Sequence, residues 1–588
     1  MSANKTVLDD KALLIRAIES REREYDPQVR MLRRAFDSPG YHTTLTAEKY
    51  PTTHPTYPSL HYAVALLNSE APKYEQRAYD ILDSVLDLQD RDPESETYGI
   101  WPWFYEEPLA QMAPPDWNWA DFCGKELVMV ASRHGHKLPE ALKERVREAI
   151  SRACDAIIRR NMGPHYTNIA MMGSFVTLIA GELYGRQDYA EYGLERLEKL
   201  QRYTEKLGAF QEFNSPSYSI IAIVELSKIR RYAASSRARD IADGLLDMAW
   251  KMVAEHYHPR TAEWAGPHSR SYSTLLRNNA KSFLQMGTGN KLAFFPPEEL
   301  VYDPEWYDAR IRCPDRYMEL FEREEERTLK QLYYRNEETG LEKWAQTHLT
   351  PRYAVGLFGH EIMWNQTRGM VAYFDNGGLP TYLHMRCLHD GYDYCSAVLT
   401  TAWHEGHLLL GVSFLTDGGD THPNLDRIQG AIDASDFRLR MEFGGRLEGV
   451  DFEQAGTVAH VLIDGLPLRF ESVYAAFEGD GAPSPGCGHQ GSSPGSAGWG
   501  WEVTRQPDRV GLDLVIYAGE RERIDFKALD KAAFLFSVAM GDETAKKPLL
   551  LSAREEEGLV TVRAADTGAE EEGLRLSVSL KPNDKHPN

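Results

Sequence analysis

The chain is poor in cysteine, in long apolar runs and in positive charge. Its six cysteines (Cys123, Cys154, Cys313, Cys387, Cys395, Cys487) include no C-x-x-C pair, which argues against a zinc ribbon and against a dense disulfide scaffold. Reduced thiols are the simplest expectation, although the spacing of Cys387 and Cys395 would let them pair across a hairpin. No stretch approaches the roughly 20 apolar residues of a membrane span. The segment from Met1 to Asp10 has no apolar signal-peptide core, so a cytoplasmic protein is expected. Lys and Arg total 66 against 88 Asp and Glu, a net charge of -22. That balance argues against nucleic acid and anionic membranes as partners. An acidic ligand would need a local positive patch.

What is present is ordinary globular material. The 588 residues are 42% hydrophobic and 11% aromatic, enough for two to four domains with sizeable cores. Tryptophan and tyrosine are plentiful, 12 and 30 residues, which suits stacking on sugars or bases and equally suits core packing.

Up to about residue 335, apolar residues recur at three- and four-residue spacing. They predict helices over Leu8–Glu24, Leu60–Leu67, Tyr74–Leu88, Trp119–Ser132, Leu138–Arg160, Tyr166–Tyr184, Tyr189–Leu207, Tyr218–Ala234 and Arg237–Glu255. The openings of the more apolar helices, at Trp117, Tyr166 and Ser215, are 49 residues apart. Further openings are expected near Tyr57 and Ser269. A repeat of that length holding one all-apolar and one amphipathic helix indicates stacked helical hairpins. The predicted fold is an α/α toroid, an incomplete barrel of hairpins over residues 1–340, with an open α-solenoid as the alternative.

From about residue 345 the texture changes to short alternating runs separated by Asp-Gly and Gly-Gly turns, as in Gly369–Phe374, Ala397–Thr401, Leu408–Val412, Val458–Ile463 and Gly511–Tyr517. These predict an antiparallel β-sandwich over residues 341–588. Gly481–Gly500 reads as a mobile Gly/Ser/Pro loop. Glu555–Glu557 and Glu570–Glu572 read as solvated acidic loops, and the tail after Lys581 as disordered.

Five loops run straight into apolar helices: Tyr57–His61, Asp116–Asp121, Gly163–Asn168, Asn214–Tyr218 and Gly266–Tyr272. In a hairpin array the inner helices start at the same end, so these loops should converge. Their helix N-termini add positive potential. Pro216 suits a first helical turn, and Asn214 or Ser215 suits a cap. Any one loop is explained as caps and turns; five together favour a site.

An Asn in the first turn of one inner helix, Asn168, followed one repeat later by Glu212-Phe213-Asn214-Ser215-Pro216-Ser217-Tyr218, resembles the heparinase II/III-like and alginate-lyase-like polysaccharide lyases. The helix-then-strand order agrees over most of the chain. The resemblance departs at Ile169, where that family often has His, and in the sandwich, where members often carry a His-rich strand. It implies a carbon–oxygen lyase of carbohydrate metabolism, cleaving a uronic-acid glycan by β-elimination. It casts Asn168 as the group that neutralises the uronate carboxylate and Tyr218 as the catalytic tyrosine.

Such chemistry needs the weakly acidic C5 proton activated by hydrogen bonds or positive charge at the adjacent carboxylate. Asn168, His268 and Arg270 are candidates, with Tyr218 as base and acid and Tyr272 as a second phenol. Trp103, Trp117, Asn118, His165, Tyr166, Glu212 and Asn214 are candidate substrate contacts. Trp101 and Trp119 are further stacking candidates, and His360 and Trp364, with Tyr353 and Gln366, are contacts from the strand half. The alternatives are a glycoside hydrolase pairing Asp116 or Asp121 with Glu212 or Glu263, a glycan-binding protein without catalysis, and a toroid enzyme acting on another small molecule such as a terpenoid. No catalytic cofactor is expected. A structural divalent metal in the sandwich would draw on His348, His360, His384, His389, His404 or His407; His404 and His407, three apart on a strand, would face opposite sides. A homodimer is compatible with the sequence, and the partner expected is an acidic oligosaccharide or polysaccharide.

Overall fold

The computed structural model describes residues 9–38, 41–483, 499–547, 549–564, 574–585 and 587. Cys487, the Glu570–Glu572 run, most of the Gly481–Gly500 loop and part of the tail lie outside the described residues.

The first half is a row of helical hairpins: α1 (Asp10–Arg21), α2 (Thr56–Ser69), α3 (Pro72–Asp87), α4 (Trp119–His134), α5 (Glu140–Arg160), α6 (Thr167–Tyr184), α7 (Gln187–Leu207), α8 (Tyr218–Tyr232), α9 (Ser236–His256) and α10 (Asn278–Gly287). In α6 every residue from Thr167 to Gly181 is buried, whereas α7 buries Tyr189, Gly193, Arg196, Leu197, Leu200, Thr204 and Leu207. One helix is therefore inside and the other forms the amphipathic outer layer. Glycine lets the two approach: a Cβ on Gly181 would lie 2.3 Å from the Ala190 nitrogen, and one on Gly193 2.5 Å from the Leu178 nitrogen. Gly185 and Gly208 end the two helices in the left-handed conformation, with φ of 65° and 77°. Each fully buried side chain such as Phe175 or Ile179 contributes about 1.5–3 kcal/mol.

The inner helices α2, α4, α6 and α8 pack in sequence. The row is curved. Lys125 of α4 and Glu225 of α8 are 3.0 Å apart, although α6 separates their helices. Packed axes are about 8–10 Å apart, so in a straight row α6 would block that contact. The segment after α10 runs along the concave side: Tyr302 donates to Asp10, Asp303 holds His61 of α2 at 2.9 Å, and Glu305 binds Lys125 and Lys228. This is the α/α arrangement of a partial ring.

Two compact units do not divide at a single cut. The first comprises residues 1–212, 217–252 and 277–318; the second comprises 213–216, 253–276 and 319–588. The strands of its two large sheets begin at Arg327. The second unit holds an antiparallel sheet ordered 502–505, 509–525, 431–445, 379–389, 370–376, 353–358, 342–349, 327–335, and another ordered 360–362, 397–404, 407–414, 529–540, 466–479, 458–463, 450–455. Phe374, Leu383, Leu439 and Leu512 of one sheet share a core with Leu408, Leu410, Phe470 and Phe534 of the other. This is the sandwich.

Several local expectations are corrected. No helix opens near Ser269. The His268 backbone pairs with Arg368 in both directions (3.2 and 2.8 Å), and the Ser271 N–H donates to Gln366, so strand-like partners take the hydrogen bonds a helix would need. Neither Asn214 nor Ser215 caps α8. Asn214 donates to the carbonyls of Ala265 and Pro267, and Ser215 to that of Arg270. Glu555 lies on a strand, paired with Lys531 and Tyr474, rather than in a loop. Cys387 and Cys395 are buried free thiols.

Candidate functional site

Two reversals separate each inner helix from the next, so α2, α4, α6 and α8 start at the same end of the first unit. There the loops are joined in a chain. Trp103 and Trp119 face one another at 5.3 Å between ring centroids, and Tyr57 meets Trp119 edge-on at 6.2 Å. The Trp103 indole N–H donates to Asp116 at 3.2 Å. Asn118, held by Arg160 at 2.5 Å, donates to the Tyr166 hydroxyl at 3.4 Å. Trp117 is half-buried, its indole N–H on the Glu96 carbonyl, and His165 is exposed.

Asn168 and Glu212 form the tightest link. The Asn168 amide Nδ2 donates to Oε1 and Oε2 of Glu212 at 2.8 and 2.7 Å, and the Asn168 backbone N–H donates to Oε2 at 2.8 Å. The Glu212 N–H returns a hydrogen bond to the Thr167 hydroxyl at 3.3 Å. The start of α6 would otherwise hold orphan N–H groups and the positive end of the helix dipole; a carboxylate satisfies both. Asn168 is thus buried with its amide already turned to a carboxylate. Tyr218, half-buried, opens α8 at the same end.

In the second unit, Gln366 Oε1 accepts from Nε and Nη2 of Arg270 at 2.9 and 2.7 Å, and the guanidinium lies 5.2 Å from the Trp364 ring. Tyr272, 45% exposed, reaches Arg270 at 3.4 Å. Asn214 and His268 have no route to solvent. The Asn214 amide is saturated by Ala265, Pro267 and Trp264. His268 bonds the Asn214 carbonyl at 2.5 Å, and burial pushes its pKa down to about 3. It is neutral, so it brings no positive charge to a uronate carboxylate, and its candidacy for that role is corrected. His360 is half-buried on Thr400, its pKa lowered by burial. His404 and His407 face each other across a two-residue Glu405-Gly406 turn with φ of 46° and 80°. They therefore share a face, contrary to the one-strand expectation. Among the described residues no group of three or more His, Cys, Asp or Glu is arranged to hold a metal.

The carboxylates that a hydrolase would use are built into the packing. Asp116 holds Trp103 and the Asn118 N–H. Burial raises the Asp121 pKa to about 7 against the pull of Arg196 and Arg160, but the side chain is sealed inside, so close to α6 that a Cβ on Gly173 would lie 2.7 Å from it. Glu263 is fully buried and accepts from the Leu276 N–H.

Two features escaped sequence reasoning. One is the charged cluster on the concave side, where Lys125, Glu225, Lys228, Glu305, His61, Glu126 and Asp303 meet. The other is an open cleft of 870 Å³ at the heads of α2 and α4, lined by Arg21, Arg33, Arg34, Tyr57, Trp103 and Trp119. No motif marks either.

Residues 24–286 match a family model described as a domain of unknown function, DUF8769. No curated protein matches the chain. Several solved structures are similar to it, among them three lyases. Heparinase III has a TM-score of 0.45 and 13% identity over 98% of this chain and 92% of its own. A Paenibacillus xanthan lyase has 0.41 and 10% over 94% of this chain and 59% of its own. The Streptomyces coelicolor A3 chondroitin AC lyase, in complex with chondroitin sulphate, has 0.41 and 10% over 99% and 95%.

Proposed function

We propose that the protein is a lyase that cleaves a uronate-containing oligosaccharide by β-elimination. The observation that carries this is the joining of the inner-helix heads at one end of the first unit, where Asn118 meets Tyr166 and Asn168 meets Glu212. Donors and parallel helix N-termini accumulate there, and a carboxylate is already bound at one of them. In this proposal Asn168, oriented by Glu212, supplies the amide that stabilises negative charge at the uronate carboxyl as the C5 proton leaves. Tyr218 takes that proton and returns one to the departing glycosidic oxygen. The C4–O bond breaks, and a C4–C5 double bond forms in its place. Trp103 and Trp117 are the sugar-stacking candidates of this end. Arg270 and Tyr272 offer a carboxylate-binding pair in the second unit, and Gln366 would set its orientation.

Elimination is favoured over hydrolysis because Asp116, Asp121 and Glu263 are buried in structural roles. Incubation with a panel of uronate oligosaccharides tests the proposal. An unsaturated product absorbing in the ultraviolet, formed in step with new reducing ends, is expected. Reducing ends without that chromophore would replace the lyase with a hydrolase.

A further inference from the structure

The cleft at the heads of α2 and α4 carries a charge pattern at odds with the rest of the molecule. Three arginines and two carboxylates line it, in a protein of net charge -22. Arg34 is paired with Glu24 at 2.6 Å, and Asp37 lies exposed at the edge. Arg21 and Arg33 have neither a side-chain hydrogen bond nor an ion pair within 4.0 Å among the described residues. Arg21 is the more telling, because it is half-buried at the end of α1. Burial and the neighbouring Arg34 pull its pKa down, and Asp303 and Glu24, neither in ion-pair contact with it, oppose that only in part. A guanidinium partly withdrawn from water with no carboxylate in ion-pair contact is costly, and a bound anion lowers the cost.

The cleft is also lined by aromatic side chains. Trp103 and Trp119 stand 5.3 Å apart with planes 32° from parallel, and Tyr57 abuts Trp119. The Trp119 indole N–H is buried without an acceptor among the described residues. The volume, 870 Å³, is within the range of about 300–1,000 Å³ usual for small-ligand sites. Guanidinium groups and indole rings lining one cleft match a ring that carries both an anionic group and an apolar face.

We propose that this cleft binds an anionic sugar ring, with Arg21 and Arg33 on the acidic group and Trp103 and Trp119 against the ring face. It deepens the lyase proposal, on which its place in catalysis rests, by naming where a sugar beyond the cleaved bond is held. The test is direct binding of sodium glucuronate to the full chain, followed by indole fluorescence and ligand-observed NMR, with glucose and inorganic sulfate as controls. Glucuronate is expected to bind at least about tenfold more tightly than either control. Arg21→Gln and Arg33→Gln should each weaken it about tenfold, the loss of one charge-assisted contact. Arg33 is exposed, so its variant keeps the fold. Equal binding of glucose, equal binding of sulfate, or unchanged affinity in both variants would overturn the proposal. The two proposals fail separately. Arg21-dependent glucuronate binding without an unsaturated product leaves the cleft standing and removes the lyase. An unsaturated product with KM unchanged in both variants does the reverse.

Discussion

Asn168 and Glu212 are joined through three hydrogen bonds of 2.7–2.8 Å, two from the side-chain amide and one from the backbone N–H. Glu212 thereby closes the start of α6 from the segment that leads into α8, so a change at Glu212 is felt at two helix heads. Glu212→Gln keeps the shape but removes the charge that the helix terminus and the amide both favour. A loss of about 1–3 kcal/mol in unfolding free energy is expected, read from urea midpoints at constant slope. Turnover should also fall, because the Asn168 amide loses the group that fixes its orientation.

The buried cluster on the concave side gives a sharper stability prediction. Lys125 lies between Glu225 and Glu305, and Lys228 shares both partners. Lys125→Met leaves the two carboxylates with Lys228 alone between them and should cost about 3–5 kcal/mol. The double variant Lys125→Met/Glu225→Gln should recover part of that loss, as a double-mutant cycle would show.

Stability should fall at both ends of the pH scale, in different units. Burial alone would lower the pKa of His61, but Glu126 and Asp303 outweigh it and raise it to about 9 from 6.5. A raised folded-state value means the contribution is complete below pH 6.5 and disappears as pH climbs through 9, a change of about 3 kcal/mol. His268, held neutral by burial with a value of about 3, acts in the opposite sense: stability present above pH 6.5 is lost as pH falls toward 3. Hydrogen exchange against pH should show first-unit peptides opening in alkali and second-unit peptides opening in acid. His61→Gln should flatten the alkaline arm.

Gln366 is proposed to position Arg270 in the second unit. Its Oε1 accepts from two N–H groups of the Arg270 guanidinium. If Arg270 binds substrate carboxylate, Gln366→Leu should raise KM several-fold with little change in kcat, since the guanidinium keeps its charge but loses its fixed orientation.

Much of the helical half was legible in the sequence because its period is local. The apolar run of α6 and the three-and-four spacing of α7 identify themselves within single segments. Tyr218 does open α8, as its place before Ile220 and Ile221 suggests. What failed depended on distant partners. Gly266–Tyr272 looks like another loop leading into a helix, but its backbone bonds go to Gln366 and Arg368, about a hundred residues on. Asn214 and Ser215 look like caps and bind the same segment instead. Glu225 and Lys228 are buried within an apolar helix, and the partner that meets them there, Glu305, lies about eighty residues on. Arg21 and Arg33 belong to no pattern; only folding brings them into one cleft with Trp103 and Trp119.

The measurement closest to the central claim is the rate of unsaturated-product formation by Tyr218→Phe on whichever uronate oligosaccharide the parent protein cleaves. The phenol is proposed to carry the proton, so the rate should fall at least about a hundredfold, with substrate binding retained and the urea midpoint unchanged. Full activity in Tyr218→Phe would contradict the account.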